Sequence, residues 1–320
     1  MTHAPVRLLC LSGAEILRLV EPGAVIEALA DGFRALSRGE VQAPGRPKIE
    51  VPGKGLTLAM LAVAPGHHIT TKVVSIFDGN HRLGLASHQA LVALFDSETG
   101  VPLAIMDGAS LTGLRTAAAA MLSVRELARP DARIATVVGG GVQAREHVRQ
   151  LGLVRPFDDI RVFARSRRAA EEVASTIPIA RAVDDLRAAI ASSDVVCLTT
   201  SSSTPVIDAA WIKPGTHVTS VGYAPPGSEA PHALIDRATL FVEAKSAFQP
   251  APVGCAELAD ISAGRGAELG EVLLGLAPGR TSRDEITLYK SMGNAMEDMI
   301  IANLAYAQAR RMQAGSTVTI

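Results

Sequence analysis

The chain has 320 residues, of which 48% are hydrophobic, and its 31 basic and 32 acidic side chains leave a formal net charge of -1. Such a length suggests two domains and is ample to bury a core without covalent staples. The balanced charge offers no electrostatic footprint for nucleic acid or an anionic membrane, and neither partner is expected.

Cys10, Cys197 and Cys255 are far apart and form no CxxC pair, so neither a disulfide framework nor a metal site is expected. A sparse, odd cysteine count suits a reducing compartment. The apolar stretch Leu8–Leu11 is short and soon followed by Glu15, unlike a signal peptide. No run approaches the roughly 20 apolar residues of a membrane helix, so a cytoplasmic protein is expected.

In chain order, the first element is Ala24–Leu36, where apolar residues recur at helical spacing and Glu27 and Arg34 fall on the polar side. Strand-like runs follow at Leu56–Val63, Ile69–Phe77 and Ala90–Asp96. The turn signals Pro52-Gly53, Pro65-Gly66, Asp78-Gly79-Asn80 and Thr99-Gly100 punctuate them, which predicts a largely antiparallel sheet. Arg115–Leu127 reads as an Ala-rich helix. A regular alternation comes next. Strands are predicted at Arg133–Val138, Ile160–Ala164, Asp194–Thr200, His217–Val221 and Leu240–Glu243, with helices at Gln143–Leu153, Arg167–Thr176 and Val183–Ala191. This pattern predicts a parallel sheet covered on both faces. The polar run Thr199–Thr204 is expected to be a loop at a strand's carboxyl end, where open α/β sheets bind ligands. Asn294–Met312 is one long helix with Ile300, Leu304 and Ala307 on a common face, and it is expected to return to the first domain.

Between the first two parallel strands stands Gly139-Gly140-Gly141-Val142-Gln143-Ala144, a match to G-x-G-x-x-A. The pattern is weak alone but gains weight between an apolar strand and a helix. Gly139 would permit the tight turn, Gly141 the approach of a pyrophosphate, and Ala144 close packing of helix on strand. The second strand ends Phe163-Ala164-Arg165-Ser166-Arg167-Arg168, without the acid that commonly holds the ribose of NAD. Arg165 and Arg167 could hold a 2′-phosphate, with Ser166 adding a hydrogen bond. The cofactor expected is NADPH in preference to NADH.

Three further segments complete a pattern: Thr71-Lys72-Val73, the stretch Asp107–Ala118 containing Leu114-Arg115-Thr116-Ala117-Ala118, and Thr287-Leu288-Tyr289-Lys290-Ser291-Met292-Gly293. With the glycine turn they resemble the ornithine cyclodeaminase/mu-crystallin family over nearly the whole chain. The resemblance implies a Rossmann-like dinucleotide-binding domain, residues 118–288, inserted into a split α+β substrate-binding and dimerisation domain, residues 1–117 and 289–320. It implies homodimers joined through the sheets of the substrate domains. It also implies nicotinamide-dependent interconversion of amino acids with their imino or keto forms.

By the same resemblance, Arg46, Lys72 and Arg115 grip the substrate carboxylate, and Lys72 and Arg115 carry the catalytic duty. Lys48 is a rival to Arg46, which could be only a loop charge. Planar guanidinium groups match a carboxylate bidentately, so this assignment is chemically apt. His88 could touch the substrate or have no such role, and Met60 would wall an apolar pocket with Leu58 and Ala62. Thr112 is either a cofactor contact or a helix cap. Lys290 and Ser291 would lie near the nicotinamide. The strand ends Thr199-Thr200 and Val221-Gly222 complete the expected cofactor set.

The expected activity is reduction of a small cyclic α-imino acid, Δ1-pyrroline-2-carboxylate to L-proline being the leading case. Alternatives are an alanine dehydrogenase-like or N-alkyl amino acid dehydrogenase, an ornithine cyclodeaminase, and a binding protein that holds NADPH and a small ligand without turnover. Cyclodeamination is disfavoured because Ala224 stands where that reaction's proton-shuttling aspartate would be. The nearest acid, Glu229, lies beyond two prolines and is not expected to reach back.

Overall fold

The computed structural model describes residues 5–320, so the first four residues of the expected first domain lie outside the described residues. The chain divides into two compact units, one running to Arg115 and resuming at Asn294–Ile320, the other Thr116–Gly293.

The first unit opens with strand β1 (Arg7–Leu11) and helices α1 (Gly13–Leu19) and α2 (Pro22–Ser37). Local chemistry starts both helices. Ser12 and Glu15 form a capping box at α1, and Glu21 accepts from the Ala24 N–H ahead of α2, whose first residue is proline. Then come β2 (Lys48–Val51), β3 (Gly55–Ala62), β4 (Ile69–Ile76), β5 (His88–Phe95) and β6 (Pro102–Asp107). Helix α3 (Gly108–Leu127) carries the chain out of this unit. Helix α9 (Ala295–Met312) and strand β15 (Ser316–Thr319) bring it back.

The seven strands are ordered β15-β1-β6-β5-β4-β3-β2, antiparallel throughout except for the parallel pair β1–β6. Helix α9 packs on α2, β3 and β4. Contact with α2 is close: a Cβ on Gly32 would meet Met296 Sδ at 2.5 Å and Ile300 Cγ1 at 2.9 Å. Of the expected α9 face, Ile300 is buried and Leu304 partly so, but the rest of the stripe differs. Met296, Met299, Ala302, Ala305 and Ala309 are buried, while Ala307 is exposed.

Helix α3 begins seven residues before the expected Arg115. Asp107 Oδ1 accepts from the Ser110 N–H at 2.7 Å and starts the helix through Gly108 and Gly113. Thr112 therefore sits inside the helix and is not its cap.

The second unit contains β7 (Ile134–Val138), α4 (Val142–Val154), β8 (Asp159–Phe163), α5 (Arg167–Ala174), β9 (Ala180–Ala182), α6 (Leu186–Ser192), β10 (Val195–Leu198), β11 (His217–Ser220), α7 (His232–Arg237), β12 (Thr239–Val242), β13 (Gly266–Glu268), α8 (Leu269–Leu273) and β14 (Thr287–Lys290). Its sheet runs β13-β12-β14-β11-β10-β7-β8-β9, with every pair parallel. This is a Rossmann-like α/β arrangement. Strand order reverses between β7 and β10, and that switch point is where such sheets bind ligands. Strand β14 pairs with both β11 and β12, so the expected boundary at 288/289 runs through a strand of this sheet. No helix among the described residues is long and apolar enough to cross a membrane.

Candidate active site

The glycine turn lies at the carboxyl end of β7, on the switch point. Gly139 has φ 148°, and a Cβ there would collide with Thr199, so conformation and space both demand glycine. A Cβ on Gly140 would meet Ala169 Cβ at 2.9 Å. Gly141 differs, because nothing lies within 4 Å of a Cβ built there. It is also the N-cap of α4, and no side chain caps that helix. The first amides of α4, from Val142, Gln143 and Ala144, thus begin at an open, positively polarised helix end beside a residue without a side chain. These features suit a diphosphate. Ala144 is fully buried, as close helix–strand packing requires.

Arg165, Ser166 and Arg167 differ in what they have to offer. Ser166 Oγ caps α5, accepting from the Ala169 N–H at 3.4 Å. Arg167 is held by Glu171 at 2.7 Å and Asp184 at 2.6 Å. Arg165 is exposed at the end of β8, with no carboxylate partner among the described residues.

The ends of β10, β11 and β14 are held together by buried acids. Glu229 folds back fully, contrary to the expectation that it would not. Its Oε1 accepts from the Gly222 N–H at 2.7 Å and Ser220 Oγ at 3.0 Å. Its Oε2 accepts from the Thr200 N–H at 2.6 Å and Thr200 Oγ1 at 2.7 Å. Backbone N–H groups at two strand ends draw the carboxylate in, which repays its desolvation. Thr199 Oγ1 donates to Val138 O at 2.9 Å, tying the loop after β10 to the glycine turn. Val221 follows the same strand end, its N–H donating to Leu198 O at 3.2 Å.

Lys290 Nζ lies 2.8 Å from Glu257 Oε1 and donates to Gly222 O at 2.5 Å. Burial alone would lower its pKa, but Cys255, Glu257 and Glu229 raise it. Ser291 Oγ donates to Glu243 Oε1 at 2.5 Å, and Glu243 also receives the Gly293 N–H at 2.7 Å. The side chains of Thr199, Thr200, Lys290 and Ser291 are thus engaged in shaping the strand ends.

In the first unit a second cluster forms around Lys72. Its ammonium lies 2.7 Å from Asp298 Oδ2. Arg115 Nε donates to Asp298 Oδ1 at 3.1 Å, and Arg115 Nη1 to Glu297 Oε2 at 2.8 Å. All four side chains are buried. Burial pushes the Lys72 pKa down to about 8; Asp298 pulls it upward, while Arg115 and then Arg46 push it further down. Arg46, in the loop before β2, therefore shares the field of Lys72 and Arg115. Lys48, its rival, pairs with Glu50 at 2.6 Å on an exposed strand. Burial alone would raise the Asp298 carboxyl, but Lys72 and Arg115 hold it below the usual range.

Met60 is the cross-strand partner of Lys72, and His88 that of Ile76, so Met60, Lys72 and His88 share one face of the sheet. Leu58, Met60 and Ala62 do not form an open pocket wall. They are buried, on the sheet face that α9 packs against. Beyond Lys72 the same face continues with Leu56, Val74, Ile76 and Ala90, all partly accessible, and ends at exposed His88. The protein around the His88 ring lowers its pKa; Asp78 opposes this and the Lys72 charge adds to it.

Glu297 and Asp298 were not anticipated as functional residues. Asn294 and Glu297 form a capping box at the start of α9, with the Asn294 N–H donating to Glu297 Oε1 at 3.0 Å. The second oxygen of Glu297 is the one given to Arg115. Two adjacent acids opening an otherwise apolar helix were the available signal.

The ornithine cyclodeaminase/mu-crystallin family model matches residues 9–313. A putative dehydrogenase of Rhizobium meliloti is 36% identical, covering 97% of this chain and 98% of its own. The ketimine reductase mu-crystallin of Mus musculus is 32% identical, covering 88% and 90%. Among solved structures, the Δ1-pyrroline-2-carboxylate reductase of Thermococcus litoralis, in complex with NADH and L-proline, superposes with TM-score 0.91 at 32% identity, covering 97% of this chain and 100% of that one. An archaeal alanine dehydrogenase dimer with bound NAD gives TM-score 0.86 at 29% identity, covering 98% and 99%. With a lysine–arginine cluster in one unit and a glycine turn at the switch point of the other, the chain belongs to the ornithine cyclodeaminase/mu-crystallin family.

Proposed function

We propose that this nicotinamide-dependent oxidoreductase reduces the C=N bond of a small cyclic α-imino acid, with Δ1-pyrroline-2-carboxylate giving L-proline as the leading substrate. The observation that carries this reading is the buried cluster at Lys72. Three cationic side chains, Arg46, Lys72 and Arg115, share one electrostatic field beside a partly accessible apolar sheet face, a setting that suits a substrate carboxylate. Desolvated charges need such a partner. Past Lys72, the sheet face is apolar through Val74, Ile76 and Ala90, which suits an uncharged ring.

The bound nicotinamide supplies the hydride. This chain's residues do the rest. Arg115 and Arg46 orient the carboxylate, and with it the imine carbon, by charge-assisted hydrogen bonds. Lys72, with a pKa near 8, can donate a proton toward the imine nitrogen near neutral pH and take it back in the reverse direction. Glu229 has both oxygens filled by four donors and is a poor proton shuttle, and Ala224 has no proton to exchange. Cyclodeamination of ornithine is therefore not the reading adopted.

Gly139, Gly141 and the start of α4 would hold the diphosphate. Arg165, exposed and without an acid beside it, would read a 2′-phosphate, which supports NADPH over NADH. The outer face of the first unit's sheet exposes Ile49, Leu61, Val73 and Leu91 in neighbouring strands. Such a patch supports a homodimer formed through this sheet. Three free thiols suit a cytoplasmic location.

The test is a substrate panel followed at the nicotinamide absorbance band: Δ1-pyrroline-2-carboxylate, pyruvate with ammonia or methylamine, and L-ornithine, each with NADPH and NADH. The cyclic imine with NADPH should give the highest kcat/KM. Faster turnover of pyruvate with an amine would replace this reading with an open-chain dehydrogenase, and ammonia release from ornithine with a cyclodeaminase.

A further inference from the structure

We propose that Asp298 and Glu297 are positioning residues with divided duties: Asp298 holds and tunes the Lys72 ammonium, and Glu297 fixes the aim of Arg115. This rests on the reading of Lys72 and Arg115 as the groups that meet the substrate.

The geometry separates the two acids. Asp298 is the only one that touches Lys72 among the described ion pairs, at 2.7 Å, and it reaches Arg115 through Nε at 3.1 Å. Glu297 meets Arg115 at Nη1 and spends its other oxygen on the Asn294 N–H. Both stand in the first turn of an 18-residue helix, whose start is fixed by the Asn294 cap. The helix dipole favours negative charge there, and Lys72 and Arg115 hold the Asp298 carboxyl below the usual range. A lysine stem is flexible, and a fixed carboxylate at its tip removes much of that freedom before substrate arrives.

The charged and titratable groups around the Lys72 ammonium come from four elements: Asp298 from α9, Arg115 from α3, Arg46 from the loop before β2, and His88 from the start of β5. Of these only Asp298 favours the charged ammonium. Burial and the two guanidinium groups oppose it. Neutralising Asp298 therefore leaves Lys72 to lose its proton at lower pH. Neutralising Glu297 leaves the described Lys72 ion pair intact and weakens the hold on Arg115.

The experiment compares Asp298→Asn, Asp298→Glu and Glu297→Gln with the wild type. Two readouts are used: the pH profile of kcat/KM for imine reduction, and calorimetric binding of the unreactive analogue pyrrole-2-carboxylate across the same pH range. The alkaline limb, expected near pH 8 in the wild type, should move down by at least one unit in Asp298→Asn. Analogue binding at pH 8 should fall about tenfold or more. Asp298→Glu should restore most of the limb. Glu297→Gln should raise KM about tenfold while the limb stays in place. An unmoved limb in folded Asp298→Asn, or an equal shift in Glu297→Gln, overturns the division. If Asp298→Asn does not fold, Asp298→Ser, which also removes the charge, takes its place: an unchanged limb there would reject a positioning role. Absence of imine turnover in the wild type would fail the functional reading alone, because analogue binding still reports how Asp298 governs Lys72.

Discussion

Lys72 in the first unit and Lys290 in the second both lie on strands, both are buried, and each holds a carboxylate within hydrogen-bonding range, at 2.7 and 2.8 Å. Their titrations nonetheless diverge. Burial lowers Lys72 most, and two arginines offset part of what Asp298 restores. At Lys290, burial is outweighed by the surrounding acidic groups Cys255, Glu257 and Glu229. The difference lies in the neighbours' signs and not in depth. A lysine crowded by cations is poised to exchange a proton near neutral pH, whereas one crowded by acids is a fixed positive strut. On the proposed reading the first serves chemistry and the second architecture.

The sharpest way to break this comparison is to remove each ammonium. Lys72→Met should lower kcat/KM by roughly 10²–10⁴-fold, the range of a general acid–base group. Its pH profile should lose the ionisation near 8. Steady-state kinetics from pH 6 to 10 check both, and a mutant that keeps the limb would deny Lys72 the proton.

Lys290→Met should instead act on stability, at a cost of about 3–5 kcal/mol, because Glu257 is left buried without its partner. Chemical denaturation measures this. Stability against pH distinguishes the lysines further. Lys72 titrates near 8 in the fold against 10.5 as a free side chain. Between those values the unfolded chain keeps a proton that the fold has released, so the wild type gains stability as pH rises through that window. Relative to Lys72→Met, the wild type should improve between pH 8 and 10. Lys290 is raised, so its stabilisation is complete below 10.5 and is lost as pH rises from there through its folded pKa. The deficit of Lys290→Met should stay level over the same range.

A smaller effect is expected from Arg115→Ala. Loss of a hydrogen bond to a charged group costs about 1.5–3 kcal/mol, or roughly 10–150-fold in KM for the imino acid. Kinetics indistinguishable from wild type would exclude Arg115 from the clamp. The mildest change should be Arg165→Ala, weakening NADPH about tenfold and NADH little. Fluorescence titration with each cofactor checks it, and equal losses would show that Arg165 does not read the 2′-phosphate.

Much of the second unit was legible because its signals are local. The glycine turn, the apolar strands and the helices between them follow one another in sequence, and the helix after Gly141 starts one residue from the predicted place. Short elements escaped. Strands β2, β9, β13 and β15 are the edges of the two sheets, three or four residues each and without the run of buried residues in the equally short β10, β11 and β12. Strand β14 read as a motif and not as a strand, which put the expected boundary inside it. The start of α3 was missed because Gly108 and Gly113 resemble turn residues, while the cap came from Asp107.

The sequence by itself determined the family pattern, the glycine turn and the cationic residues Arg46, Lys72 and Arg115. These depend on residue type and short spacing. Only the tertiary structure decided which acids those cations meet. Glu297 and Asp298 lie more than 180 residues from Arg115. Glu229 turned back to Gly222 and Thr200 despite the prolines between. Buried charge must find a partner wherever the fold brings one, and pairing across such separations leaves no periodic trace in the chain. The pKa of Lys72 is therefore a property of the folded neighbourhood, and nothing in Thr71-Lys72-Val73 distinguishes it from an ordinary strand lysine.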